Sequence, residues 1–200
     1  MTLVLGIGTS SPALSLALFE DGVQQAGEHR IIGRGHAEAL IPAIAELMSG
    51  RCADAIVVDI GPGSFTGIRV GLAAAHALGL AWHAPVSGVM ATTLVAAAAF
   101  AEAPDAMAVT VLLDAGRGQL YAQHMNRHFQ AGDLEICRPE DLSPEKGVVL
   151  GGAPATAFGN APLAGTGPDM AALFHLPAAL RSLVPAAHYV RPPDAKLPEA

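Results

Sequence analysis

Apolar and polar residues alternate in blocks along the first hundred positions. Residues 3–7 are an apolar run closed by Gly8-Thr9-Ser10-Ser11-Pro12, and residues 14–19 a second, closed by Glu20-Asp21-Gly22. Residues 23–31 extend as a third strand, so the opening predicts an antiparallel meander. The period then changes. Across residues 36–48, Ala37, Leu40, Ile41, Ile44, Leu47 and Met48 fall on one helical face. Pro42 lies inside that pattern and removes a helix hydrogen bond, which predicts a kink. A strand at 55–58, a helix at 68–83, a short strand at 86–88 and a helix at 92–101 follow.

Pro104 opens a second half. Residues 108–114 form an apolar strand, 115–118 a tight turn, and 120–125 the returning strand. This repeats the opening hairpin, with Asp114 where Gly8 stands in the first copy. Ten of the 15 prolines lie beyond residue 138, and proline breaks both helix interiors and sheet ladders. The expectation is a mixed α/β protein of ribonuclease-H-like plan. A first lobe spans 1–103. A related but degenerate second lobe, with a C-terminal tail, spans 104–200.

Composition sharpens this in two ways. Apolar residues make up 52% and charged residues 14% of the 200 positions, well below the roughly 25% charge of ordinary domains. So little charge suggests that part of the surface meets another protein, although alanine also inflates the apolar count. The net charge is −7 and no Lys/Arg cluster occurs, which argues against direct, tight RNA or DNA binding. Cys52 and Cys137 have no metal-ligand spacing and read as buried free thiols of a reducing cytosol. The start, "MTLVLGIGTS", lacks the pattern of a signal peptide, and the longest apolar stretch, 70–82, is too short to span a bilayer. A cytoplasmic location with no membrane contact is expected.

The stretch "DIGPGSFTGIRVGLAAAHALGL" (59–80) is strand, glycine turn and helix, the order in which many proteins hold phosphate. The known chemistries fail here. No lysine follows Gly67, so it is not a Walker A loop. Thr66 stands where a dinucleotide fingerprint needs glycine, and the flanks of Ser64 do not fit a nucleophile elbow. Backbone amides of residues 63–66 could hold an anion weakly. The structural reading is stronger: Gly61 and Gly63 allow a sharp turn, Pro62 fixes it, and Ser64 or Thr66 caps the helix, with Gly67 just inside it.

On that helix Gly67, Gly71, Ala74, Ala75 and Leu78 share a small-residue face suited to lying close on a sheet. The opposite face carries Arg69, His76 and His83, flanked by Leu72, Ala73 and Leu80. One formal charge is few for a free surface helix, so either a partner or a second helix of the same chain covers it. The pairs His29/His36 and His76/His83 lack the i, i+4 spacing of a zinc helix, and no metal or other cofactor is expected. Asp59 and Asp114 both end strands. Asp59 reads as a cap of the elbow, and Asp114 as a weak nucleotide or metal contact; a single carboxylate does not make a catalyst.

The segment "VVDIGPGSFTGIRVGLAAAHALGLAWHAPVSGV" (57–89) resembles the signature of the TsaB (YeaZ) family. "LGIGTSSPALSLAL", "GHAEALIPAIAELM", "VLLDAGRGQLYAQHM" and "HYVRPPDAK" are similar to its first hairpin, first helix, second-lobe hairpin and tail. The resemblance implies an actin-like ATPase fold with a truncated, irregular second lobe. It implies a non-catalytic subunit that binds and activates TsaD, the transferase that places threonylcarbamoyl on adenosine of tRNA. TsaE joins in a larger complex, and the chain pairs with itself when TsaD is absent. Arg69, Leu72, Ala73, His76, Leu80 and His83 would then be interface, aimed by the elbow. Gly8 stands where the family has Asp, a departure that argues against hydrolysis, and Gln119 stands where the family has an acid. The alternative is a nucleotide-dependent ATPase or phosphotransferase of the same fold.

Overall fold

The computed structural model describes residues 1–143, 148–159 and 163–190. The tail motif beyond Val190 therefore lies outside the described residues. Strands β1 (Leu3–Gly8), β2 (Ala13–Glu20) and β3 (Val23–Ile31) form the expected antiparallel meander. On its other edge β1 pairs in parallel with β4 (Ala55–Asp59), and β4 with β5 (Val86–Val89), giving the order β3-β2-β1-β4-β5. Helix α1 (His36–Met48) joins β3 to β4, α2 (Phe65–Trp82) joins β4 to β5, and α3 (Ala91–Glu102) follows β5. This is the ribonuclease-H-like plan of an actin-type lobe. α1 is assigned as one helix through Pro42, which lies on its exposed side.

The second sheet repeats the first over four strands. β6 (Ala108–Gly116), β7 (Gln119–Asn126) and β8 (Ala131–Cys137) form a meander, and β9 (Val149–Gly151) adds in parallel to β6, for the order β8-β7-β6-β9. The sequence pattern gave no sign of β8. Its run "AGDLEIC" is mostly exposed and offers too few apolar positions for a strand signal; pairing with β7 organises it. Where the first sheet has long helices, the second has 3-10 turns at Pro139–Asp141 and Ala153–Phe158.

Both faces of the first sheet are covered, and α3 joins the halves. One face of the first sheet buries Leu5, Ile7, Leu16 and Val58 against Leu40 and Ile44 of α1 and Ala75 of α2. Its other face packs Val4, Phe19 and Val57 against Leu94 of α3. α3 also packs Val95 and Ala99 against Val109 and Val111 of the second sheet. Nine of its twelve residues are buried, which is why its sequence shows no polar face: a helix with sheets on both sides needs none. The chain then returns. The 3-10 turn Met170–His175 packs Met170 and Leu173 onto the first sheet. Leu183 bridges Gly88 at the edge of β5, and the His188 N–H donates to the Ile60 carbonyl at 2.8 Å.

Candidate partner interface

The elbow is welded to the first hairpin turn. Gly61 takes a left-handed φ of 97°, open to glycine without penalty. Ser64 caps α2, its Oγ accepting from the Gly67 N–H at 3.2 Å; of the two expected caps, Thr66 lies inside the helix. The Ser64 N–H donates to the Ser10 carbonyl at 2.6 Å, and the Thr9 hydroxyl donates to the Gly67 carbonyl at 2.7 Å. A Cβ at Gly63 would sit 2.2 Å from the Ser10 oxygen, one at Gly67 2.0 Å from the Thr9 oxygen, and one at Gly71 2.5 Å from Thr9 Oγ1. Glycine at every fourth position thus lets the helix lie directly on the backbone of the turn. That spacing was the available signal for a close approach; that Thr9 and Ser10 are what the helix lies on comes from the structure.

Asp59 sits beneath this joint, 1% exposed. It accepts from the Ser10 hydroxyl, and from the Gly61 N–H at 2.8 Å. Burial pushes its carboxyl up to about 6 against the pull of those donors. It is the cap of the elbow, as read from the sequence. Gly8, at the end of β1, faces Met170: a Cβ there would lie 3.3 Å from Ser15 and 3.5 Å from Met170. An Asp at that position would bring its side chain against the Ser15 carbonyl, 3.4 Å from the Cβ, as well as Met170.

α2 buries Gly67, Ile68, Gly71, Ala75 and Gly79; Ala74 and Leu78 are half-buried against the same core. Its outward side presents Arg69, Ala73, His76, Ala77, Leu80 and Ala81, with Leu80 80% exposed. α1 packs beside it and exposes Ala37, Ile41, Pro42 and Ala45. The exposed residues of the two helices are largely apolar; Arg69 is the formal charge on α2, and Glu38 and Glu46 of α1 line a shallow pocket with Glu28 and Arg30 of β3. A second helix of the same chain therefore covers one flank of α2 only.

The six residues singled out on α2 fall into different settings. Ala73 and Leu80 are free and outward. Leu72 is half-buried and packs into the core beneath α1, so changing it tests folding as well as docking. Arg69 stacks 3.8 Å above the Phe65 ring and donates through Nε to the Tyr189 hydroxyl at 3.0 Å. His76 Nε2 lies 3.3 Å from the Pro185 carbonyl. Both are held by the returning C-terminal segment. His83 takes a left-handed φ of 56° and ends the helix, its N–H donating to the Gly79 carbonyl.

An open cleft of about 1270 Å³ separates the elbow from the turn of the second hairpin. Ser10, Gly63, Ser64, Asp114, Thr166 and Tyr189 line it. Asp114 is exposed and closes its own turn, accepting from the Gly116 N–H at 2.7 Å. Asp59 is not among the lining residues, so the two strand-end carboxylates are not brought to one site. Among the described residues no three His, Cys, Asp or Glu side chains gather as metal ligands would. Both thiols are free, but neither is buried as expected: Cys52 is exposed in the loop after α1, and Cys137 is half-buried at the end of β8.

A model of the family described as TsaD, tRNA N6-adenosine threonylcarbamoyltransferase, matches residues 29–144. An uncharacterized protein of Mycobacterium leprae is 30% identical over 216 residues, covering 98% of this chain and 56% of its own. The tRNA threonylcarbamoyladenosine biosynthesis protein TsaB of Haemophilus influenzae is 30% identical over 157 residues, covering 72% of this chain and 66% of its own. The solved structure of YeaZ from Pseudomonas aeruginosa superposes with a TM-score of 0.73 at 26% identity, covering 88% of this chain and 90% of its own. The chain spans between half and two thirds of the length of these two curated relatives.

Proposed function

The chain belongs to the family matched by the TsaD model and, within it, to TsaB (YeaZ), and from that premise we propose that it is a non-catalytic subunit of the system that forms threonylcarbamoyladenosine in tRNA. It binds a TsaD transferase through the outward side of α2 and the adjoining side of α1, and holds it in its active form. TsaE joins this pair in a larger complex. Without TsaD, the same apolar surface pairs two copies of this chain. The complex works in the cytoplasm; among the described residues no helix is long and apolar enough to cross a membrane.

The observation that carries this reading is the outward side of α2. It is apolar around Ala73 and Leu80, and the weld of Gly63 and Gly67 to Thr9 and Ser10 fixes its position. A docking surface gains by such rigidity, since less conformational entropy is lost on binding. The test is reconstitution. This chain is mixed with a TsaD and a TsaE, and modified adenosine in tRNA is measured with each component left out in turn. Full modification without this chain would end the proposal. Ala73→Glu and Leu80→Asp keep the fold and abolish co-purification with TsaD; unimpaired co-purification of both would move the interface elsewhere. The ATPase alternative draws on the cleft. Its mark would be ATP hydrolysis by the purified chain that disappears in Asp114→Asn.

A further inference from the structure

His29 lies on β3 directly opposite Ser15 of β2, and residues opposite one another in a ladder share a face of the sheet. The returning segment crosses that face. The Ser15 hydroxyl donates to Asp169 Oδ1 at 3.1 Å and accepts the Met170 N–H at 2.8 Å. Asp169 Oδ1 also accepts the Ala171 N–H at 2.9 Å, capping the turn that carries Met170 into the core. His29 closes the cluster, with Nδ1 3.5 Å from Asp169 Oδ1 and Nε2 3.4 Å from the Thr166 carbonyl. The side chain is 14% exposed, and Nδ1 is sealed from solvent without a conventional hydrogen bond.

Both ring nitrogens therefore face acceptors. A neutral imidazole has one N–H and one lone pair, so either tautomer points a lone pair at a carbonyl or a carboxylate. Only the imidazolium offers a donor on each side. The segment held this way matters for the cleft: Gly165, Thr166, Gly167 and Pro168 form part of its wall.

We propose that His29, Ser15 and Asp169 form a proton-operated latch that fixes the cleft wall at residues 165–168 to the first sheet. The latch is closed while His29 is protonated and loosens when the proton leaves. Asp169 is the charged group facing His29 from the returning segment, and β2 contributes the neutral Ser15. On β3 itself Glu28 and Arg30 pair with each other at 2.8 Å and, by the alternation of a strand, lie on its other face. The Asp169 carboxylate beside Nδ1 raises the His29 pKa above its ordinary value against the effect of burial, and, again against burial, the same contact helps hold Asp169 below its own. A raised folded-state histidine pKa gives stability that is complete below the unfolded value and lost as pH rises through the folded one. The depressed Asp169 gives stability that is present above the unfolded carboxylate value and lost on acidification. The latch is thus strongest from about pH 5 to about pH 6.5.

The test is an NMR titration of the His29 ring in the full chain, with amide exchange at residues 165–171 corrected for the intrinsic pH effect. His29 should titrate above about 6.5. Asp169→Asn, which keeps an acceptor for Ser15 and Ala171, should lower that midpoint by half a unit or more, about threefold in proton affinity. Protection at 165–171 should fall in the wild type as His29 deprotonates, and should lose that step in His29→Gln. A His29 midpoint at or below the ordinary value, one unmoved by Asp169→Asn, or the same protection profile in His29→Gln would overturn the latch.

Discussion

The two sheets share one plan and differ in what connects their strands. Each has a three-stranded meander with a parallel strand beside its first member. In the first half the connections are α1 and the 18-residue α2; in the second the described residues form 3-10 turns. The first-half helices are rich in alanine, a strong helix former, whereas proline crowds the second half. Their turns differ as well. The first hairpin turn is buried beneath the elbow, with Thr9 and Ser10 at 1% and 3% exposure. Its counterpart at Asp114–Gly118 stands open at the cleft. A sheet can keep its topology while losing its helices, provided another element covers its faces; here α3 and the 3-10 turn Ala153–Phe158 do so. Among the described residues, long helices with exposed apolar side chains occur in the first half.

The sharpest way to break this comparison is to place a methyl group where α2 lies on the buried first turn and another in the open second turn. Gly67→Ala should destabilise by about 3 kcal/mol or more, since its Cβ would meet backbone and not a movable side chain. Gly118→Ala, with nothing within 4 Å, should cost only the strain of its left-handed φ, about 1 kcal/mol. Denaturant unfolding of both variants measures the difference, and equal losses would show that the elbow is not welded.

Asp59 and Asp114 separate the halves next. The Asp59 carboxyl is raised from 3.8 to about 6, so the folded state binds its proton more tightly than the unfolded one. Its contribution is complete below the unfolded value and lost as pH rises to about 6, a change of up to about 3 kcal/mol. Asp59→Asn should flatten the stability profile between pH 4 and pH 6 relative to wild type. Asp114→Asn, at an exposed turn, should move stability by no more than about 0.5 kcal/mol. Parallel slopes for wild type and Asp59→Asn would remove the buried carboxylate from the joint.

A docking contrast follows. Leu80→Asp should weaken TsaD binding by a hundredfold or more, roughly 3 kcal/mol, while lowering stability little. Met107→Asp in the second half, where Met107 is 70% exposed, should change neither. Isothermal titration with thermal melts of each variant decides it. The smallest effect belongs to Tyr189→Phe, which keeps the ring beside Phe65 at 4.7 Å but removes the acceptor of Arg69. A stability loss under about 1 kcal/mol is expected, and a larger one would make the C-terminal segment a main support of α2.

How far the residues themselves led differs from place to place. The opening meander, α1, α2 and the hairpin at 108–125 were legible because their apolar periods are strong. The helix α2 begins three residues earlier than its apolar pattern, because Ser64 and not the first apolar residue sets its start. β8 was not legible, since its residues are mostly exposed and its order comes from pairing with β7. The returning segment was also hidden: Met170 meets Gly6 and Gly8 across more than 150 positions, and no local pattern encodes such a contact. Leu72 looked outward on a helical wheel, yet it is half-buried and packs against the core shared by α1 and the first sheet.

By itself, then, the sequence determined the strands and helices of the first half, the small-residue spacing that brings α2 close, and the scarcity of charge on that helix. These are local properties, written in periods of two and 3.6 residues. The tertiary structure decided which side of α2 remains uncovered, that Asp59 lies beneath the joint and away from the cleft, and that His29 meets Asp169. Those outcomes depend on groups far apart in the chain, whose burial and charge are set only when the sheets, the helices and the returning segment close on one another.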